Sequence, residues 1–215
     1  MVAVPTGVKI VFGLLVLLGA AVIAASIPAY FADDLAPFVI EKLPLPMEDV
    51  WIFALKAHVV AAVFSLPACI ALQWRLPRRA HRWLGRVTGL AVLCVLAPSG
   101  FYLALFAKGG VLGTLGFVLS AVITVVAMIR AVQHARARRY PAHRRAAWHV
   151  IAQLSVAVTS RAMLIAFDAA AVDEELAYLV ALWVPVVFGA VLVELLLPKT
   201  RRSYVAAHAL VAAHR

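Results

Sequence analysis

Charge is scarce in this chain of 215 residues: Asp, Glu, Lys and Arg make up 14% of it, against about 25% in an average soluble domain. With 65% of its residues hydrophobic, it has too little polar surface to cover an apolar core, which excludes an ordinary soluble domain. Cysteine is limited to Cys69 and Cys94, both inside apolar runs. Neither a disulfide framework nor a cysteine-based zinc site follows, and both read as small core residues. Also missing are a Gly-rich phosphate loop, a nucleophile beside its base and a closely spaced metal motif of the His-Glu-x-x-His kind. No enzyme class is therefore assigned.

In place of charge the chain has long apolar runs, centred on residues 8–29, 52–73, 84–106, 111–132, 147–167 and 177–197. Each reaches about 20 residues, enough to cross a hydrocarbon core about 30 Å thick at about 1.5 Å per helical residue. The predicted fold is all-α: a single polytopic membrane helical bundle of about six transmembrane helices over residues 1–200, followed by a short basic tail, 201–215, that reads as an interfacial helix. The run at 8–29 is longer than a signal-peptide core and reads as an uncleaved first span.

The charges that remain are sorted by side. Arg75, Arg78, Arg79, Arg82 and Arg86, then Arg136, Arg138, Arg139, Arg144 and Arg145, then Lys199, Arg201 and Arg202 fall on one side. Asp33, Asp34, Glu41, Glu48, Asp49, Asp168, Asp173, Glu174 and Glu175 fall on the other, with Lys42, Lys56 and Lys108 against the trend. Short basic loops stay in the cytoplasm, so both termini and the two basic loops are expected there. The formal charge of +10 then reflects topology, and no nucleic acid partner is expected. The one long loop, 31–50, is expected to lie as a flap over the outer face.

Polar groups at membrane depth are costly and commonly functional, and counting residues inward from each boundary sorts them into two layers. The outer layer holds His58 and Arg161, each roughly 9 Å below its boundary, with Pro98, Ser99 and Gly100 at similar depth, Tyr102 a turn further out, and Pro185 interrupting the last span. Proline frees a backbone carbonyl that needs another donor, and a small polar cavity or a packed kink satisfies that need equally well. Arg161 offers donors suited to a carboxylate, a phosphate, a haem propionate or a quinone carbonyl, or it reaches outward to Asp168. His58 reads as a ligand-binding group or a hydrogen-bonded interior histidine.

The inner layer holds His81 and His143, with His149 about 9 Å further along the same helix. Imidazoles from two helices are what a six-coordinate b-type haem needs, which makes His81 and His143 candidate metal ligands and His149 a third candidate; the same residues in basic turns also suit anionic lipid. His149, Gln153 and Ser160 form a stripe expected to face the bundle interior. Glu194 is expected to reach Lys199, with His149 as the other partner in range. A short echo joins Pro77 to Arg82 with Pro141 to Arg144, each a Pro followed by Ala-His-Arg, and two independent turns account for it.

His58-Val-Val-Ala-Ala, His81-Arg-Trp-Leu-Gly-Arg, Pro98-Ser-Gly-Phe-Tyr-Leu-Ala and Ala142-His-Arg-Arg, followed by Arg161, occur in that order. In this the chain resembles a set of uncharacterised bacterial multi-helix membrane proteins, the domain of unknown function 2306, from about Leu14 to Leu197. The resemblance implies a fold, a bacterial inner-membrane location and His58, His81, His143 and Arg161 as recurring polar positions. The chain departs from the pattern at Ala146 and Ala147, where bulkier residues are usual, and at His149. A looser likeness is to transmembrane cytochromes b that use ascorbate, but the fourth span offers no histidine to pair with His58, which leaves at most one inner haem.

Two expectations follow. One is a small redox protein in which an inner haem b, held by His81 and His143 or His149, exchanges electrons with a quinone or other lipophilic ligand near His58, Tyr102 and Arg161. The other is a non-catalytic assembly factor, lipid-binding scaffold or subunit of a larger membrane complex, with lipids and other membrane subunits as partners. A transporter is disfavoured by the lack of a clear inverted repeat or paired discontinuous helices.

Overall fold

The computed structural model describes residues 47–74 and 76–197, together with Gly19, Pro28, Ile40, Pro44 and Leu45. The predicted first span, most of the 31–50 loop, Lys199 and the 201–215 tail lie outside the described residues. Five helices are long and apolar enough to cross a membrane: α1 (Glu48–Ala71), α2 (Arg78–Ala104), α3 (Gly110–Arg136), α4 (Tyr140–Ala169) and α5 (Glu174–Leu196). They match five of the six predicted runs, and no strand occurs among the described residues. At the basic end α2 and α4 begin six or seven residues before their apolar runs. Arginine is a good helix former, and proline suits a helix start because its fixed φ matches and its missing N–H is not needed there: Pro77 precedes the first residue of α2 and Pro141 sits in the first turn of α4.

Side chains from one helix to the next cannot cover all this apolar surface. Even in α2, the best covered, 39% of the most apolar stretch is buried, and Phe53, Val111 and Leu195 stand about three-quarters exposed. Water would penalise each such side chain by about 2 kcal/mol, whereas lipid does not. The bundle is therefore a multi-pass membrane protein.

The first half of α4 is central: α1, α3 and α5 all pack on it, while its second half leans on α5. Ala61 and Cys69 of α1, Val92 and Leu96 of α2, Ala127 and Met128 of α3, and Val150 and Ile151 of α4 form the main core. Small residues there let the backbones approach closely. Cys94, expected in the core, is exposed instead, because the neighbouring Val92 and Leu96 take the inward positions.

Two interruptions shape the helices. In α4 the helix breaks at Ser155, whose hydroxyl bonds the carbonyl of Ile151 at 2.8 Å while Thr159 bonds the carbonyl of Ser155 at 3.0 Å; such back-bonding bends helices. In α5, Pro185 has no N–H for the carbonyl of Ala181. The Ser160 hydroxyl of α4 supplies the missing donor at 2.6 Å. Nearby, Gln153 accepts from Ser120 of α3 at 2.9 Å and donates to the carbonyl of Val186 at 3.0 Å, joining three helices through one buried amide.

Ser160→Ala is therefore expected to destabilise the bundle by about 1–2 kcal/mol, the cost of a buried carbonyl left without its donor. Pro185→Ala restores the N–H, so the Ser160→Ala loss should shrink in that background. Equilibrium unfolding of the four proteins in one detergent measures the coupling, and equal losses in both backgrounds would refute the repair.

Candidate functional site

The histidines at the basic end fall into two separate groups. His81 lies one turn into α2 and His143 one turn into α4, each in its Pro-led turn, and their rings meet edge to face with centroids 6.4 Å apart. His143 donates from Nδ1 to the carbonyl of Ala131 on α3 at 2.8 Å. That bond orients the ring and places a proton on Nδ1, the arrangement by which metal-binding imidazoles are oriented. The echo between the two basic turns thus has a spatial consequence that independent turns would not require.

His149 faces another way. Six residues beyond His143 on a helix of 3.6 residues per turn, it points to a different face. Its Nε2 donates to Glu194 of α5 at 3.0 Å, and Arg145, one turn earlier, also pairs with Glu194. Glu194 is thus engaged by α4, through the other partner in range, while Lys199 lies outside the described residues; the sequence trio of His81, His143 and His149 divides into a pair and a member of an ion cluster. Among the described residues no group of three or more His, Cys, Asp or Glu could hold a metal ion.

Midway along its length, α2 departs from α-helical winding. Residues Ala91–Leu96 form a π-helix, followed directly by Pro98, Ser99 and Gly100. Such wide turns often mark functional sites, and proline withdraws one more N–H. His58 of α1 docks against this irregular backbone. Its Nδ1 donates to the carbonyl of Leu96 and to the Ser99 hydroxyl, each at 3.1 Å, while Ser99 donates to the carbonyl of Val95 at 2.6 Å. Glycine at position 100 makes room for the approach, since a Cβ there would lie 3.1 Å from His58 Cε1, a tight contact. His58 Nε2 is left as an acceptor.

The other two outer residues sit elsewhere. Tyr102 packs with Trp51, Leu55 and Phe106 in a cluster at the acidic end, its ring edge to face with Phe106 at 5.4 Å. Arg161 donates to the carbonyl of Ala157, one turn back on α4. It lies on the half of α4 that packs mainly against α5, whereas α1 packs mainly against the other half, with Val158 against Leu66 and Ile70 as an exception. Lys108, against the charge trend in sequence, pairs with Glu174 at 2.5 Å and ties the α2–α3 turn to α5. Sequence reasoning did not single out Trp51, Ser65, Thr88 or Ser120, since lone hydroxyls and indoles are ordinary within apolar helices.

A family model described as "Predicted membrane protein (DUF2306)" matches residues 55–197, from the first turns of α1 to the end of α5. The chain belongs to this family. The match covers His58, His81, Tyr102, His143, His149 and Arg161, so both polar layers lie in the part the family model describes. No curated protein and no solved structure matches the chain.

Proposed function

We propose that this protein holds a b-type haem between His81 and His143 at the basic, cytoplasmic end of the bundle, in a bacterial inner membrane, and exchanges electrons with a quinone dissolved in the bilayer. The spacing of the histidine pair supports the reading. Two imidazoles bound axially to one metal through bonds of about 2 Å have ring centres about 6 Å apart, and these rings stand at 6.4 Å. The carbonyl of Ala131 orients His143 for ligation through Nε2. Arg82 and Arg144 follow the two histidines in sequence and suit propionate carboxylates. Bound haem supplies one-electron redox chemistry.

His149 is not one of the ligands in this reading, since its Nε2 is held by Glu194. Quinone exchange is assigned to the basic end as well. Tyr102 lies about 30 Å from His81 along α2 at about 1.5 Å per residue, and electron tunnelling falls exponentially with distance. A quinone within the bilayer can approach the histidine pair directly, which leaves His58, Tyr102 and Arg161 to other work.

The absorption spectrum of protein purified after expression with ample haem tests the proposal. A Soret band with six-coordinate features is expected. A featureless Soret region accompanied by bound anionic lipid would favour the lipid-binding scaffold instead, a reading supported by the exposed Arg78, Arg79 and Arg82 on the first turns of α2.

A further inference from the structure

Arg130 falls inside the apolar run of α3, where a cation is costly and commonly functional. Its surroundings follow from how α3 and α5 run. The two helices are parallel and touch toward the acidic end, where Trp183 donates to the carbonyl of Leu112 at 3.2 Å and Ile123 packs on the cluster of Val156, Leu182 and Val186. Arg130 lies seven residues beyond Ile123, and Glu194 eight beyond Val186, so both stand about 10–12 Å further toward the basic end. They are level. From α4, which packs on both helices, come Arg145 and His149, 18% and 17% exposed, each bonded to Glu194. The charge of Arg130 reaches His149 as well.

This four-residue cluster is short of acceptors. Glu194 has two carboxylate oxygens, and Arg145 takes one while His149 takes the other. Two guanidinium groups, always charged, stand against that single carboxylate, so the cluster carries at least one net positive charge even with His149 neutral. Arg130 has no hydrogen bond or ion pair to another described residue. A guanidinium presents five N–H donors, and Arg145 gives Glu194 one nitrogen. The donors left over suit an anion from outside the chain.

The same helix faces turn apolar toward the membrane centre. Val126 lies one turn before Arg130, while Val191 and Val187 lie one and two turns before Glu194, and all three are more than two-fifths exposed. A charged head is thus followed by two apolar tracks, one on α3 and one on α5. We propose that this face binds an anionic phospholipid of the basic-side leaflet, with its phosphodiester on Arg130 and Arg145 and its acyl chains along Val126 and along Val191 and Val187. Basic pockets between helices on the cytoplasmic side are suited to such headgroups, and phosphate oxygens match the guanidinium fork. One negative charge on the lipid balances the excess, whereas a zwitterionic headgroup brings none. Glu194 is the positioning residue that holds Arg145 in place. Free phosphate shares the headgroup chemistry but makes no use of the tracks.

His149 faces away from the His81–His143 pair, and lipid is counted by mass, so the result does not depend on whether haem is bound. Purified full-length protein in a neutral detergent is mixed with phosphatidylglycerol or phosphatidylcholine of the same acyl chains and examined by native mass spectrometry. Phosphatidylglycerol should give several-fold more of the one-lipid adduct. Arg130→Gln should reduce that adduct to the phosphatidylcholine level, and Arg130→Met, apolar and of similar length, carries the same test if the first variant does not fold. The double variant Arg78→Gln and Arg79→Gln removes more charge from the first turn of α2 and should leave the preference intact. Equal adducts of the two lipids overturn the proposal. So does a preference that survives in folded Arg130→Gln but is lost in the double variant, which would assign it to the general basic surface. Displacement of the lipid by millimolar inorganic phosphate would overturn it too, by making the site one for free phosphate.

Discussion

If haem is held as proposed, protein carrying His143→Ala is expected to lack a six-coordinate Soret spectrum, and His81→Ala to lack it as well, while His149→Ala shows it. The contrast separates ligation from a general effect of removing imidazoles near the basic end. Losing an axial ligand removes a direct metal bond, and disturbing even a residue that orients such a ligand commonly costs about 10–100-fold in affinity. His143→Ala also gives up the bond to the carbonyl of Ala131 that joins α4 to α3, worth about 1 kcal/mol, so a modest fall in melting temperature accompanies the spectral loss. His149→Ala leaves Glu194 still paired with Arg145. An unchanged Soret band in folded His143→Ala would refute axial ligation by the pair.

Apolar run length was enough to place α1 to α5, because a bilayer imposes one simple length requirement on each span. Their starts were less legible: residues 78–83 and 140–146 are polar and look like loop, yet proline at the start and arginine thereafter carry the helix through them. The freed carbonyl at Pro185 was legible as a need, but its donor, Ser160, was not, since which residue of a neighbouring helix stands opposite depends on the bend at Ser155. The π-helix at Ala91–Leu96 left no signature, as its residues are plain aliphatics and cysteine.

Depth placed the polar layers, and rotation about each helix decided their pairing. His143 and His149 share a depth zone but face different helices, so residue counting alone grouped what the fold divides. His58 and Arg161 share a depth too, yet one is held by α2 and the other lies on the half of α4 that packs against α5. The hydroxyls of Ser65 and Thr88 were invisible for a related reason: an isolated Ser or Thr in an apolar helix normally bonds its own backbone, and only the folded bundle shows that these two have no partner among the described residues.

Gly113→Ala is expected to be the most disruptive single methyl group added to the bundle. Gly113 lies in the first turn of α3, where the chain reverses tightly out of α2 through Gly109 and Gly110, at φ of 82° and 58°. A Cβ on Gly113 falls 1.9 Å from the carbonyl oxygen of Lys108. The obstacle is backbone, so no side-chain rotation relieves it. Opening the turn would strain the Lys108–Glu174 pair and the hydroxyl of Thr114 on the carbonyl of Ala104. A loss of about 3 kcal/mol or more follows, at the upper end of overpacking costs. Gly85 is the counterpart: it lies within α2, and a Cβ there meets nothing within 4 Å, so Gly85→Ala should stabilise by about 0.5–1 kcal/mol through helix propensity. Thermal unfolding of both variants in the same detergent should therefore move in opposite directions. A Gly113→Ala protein melting with the wild type would show that the α2–α3 turn tolerates a wider path than its glycines impose.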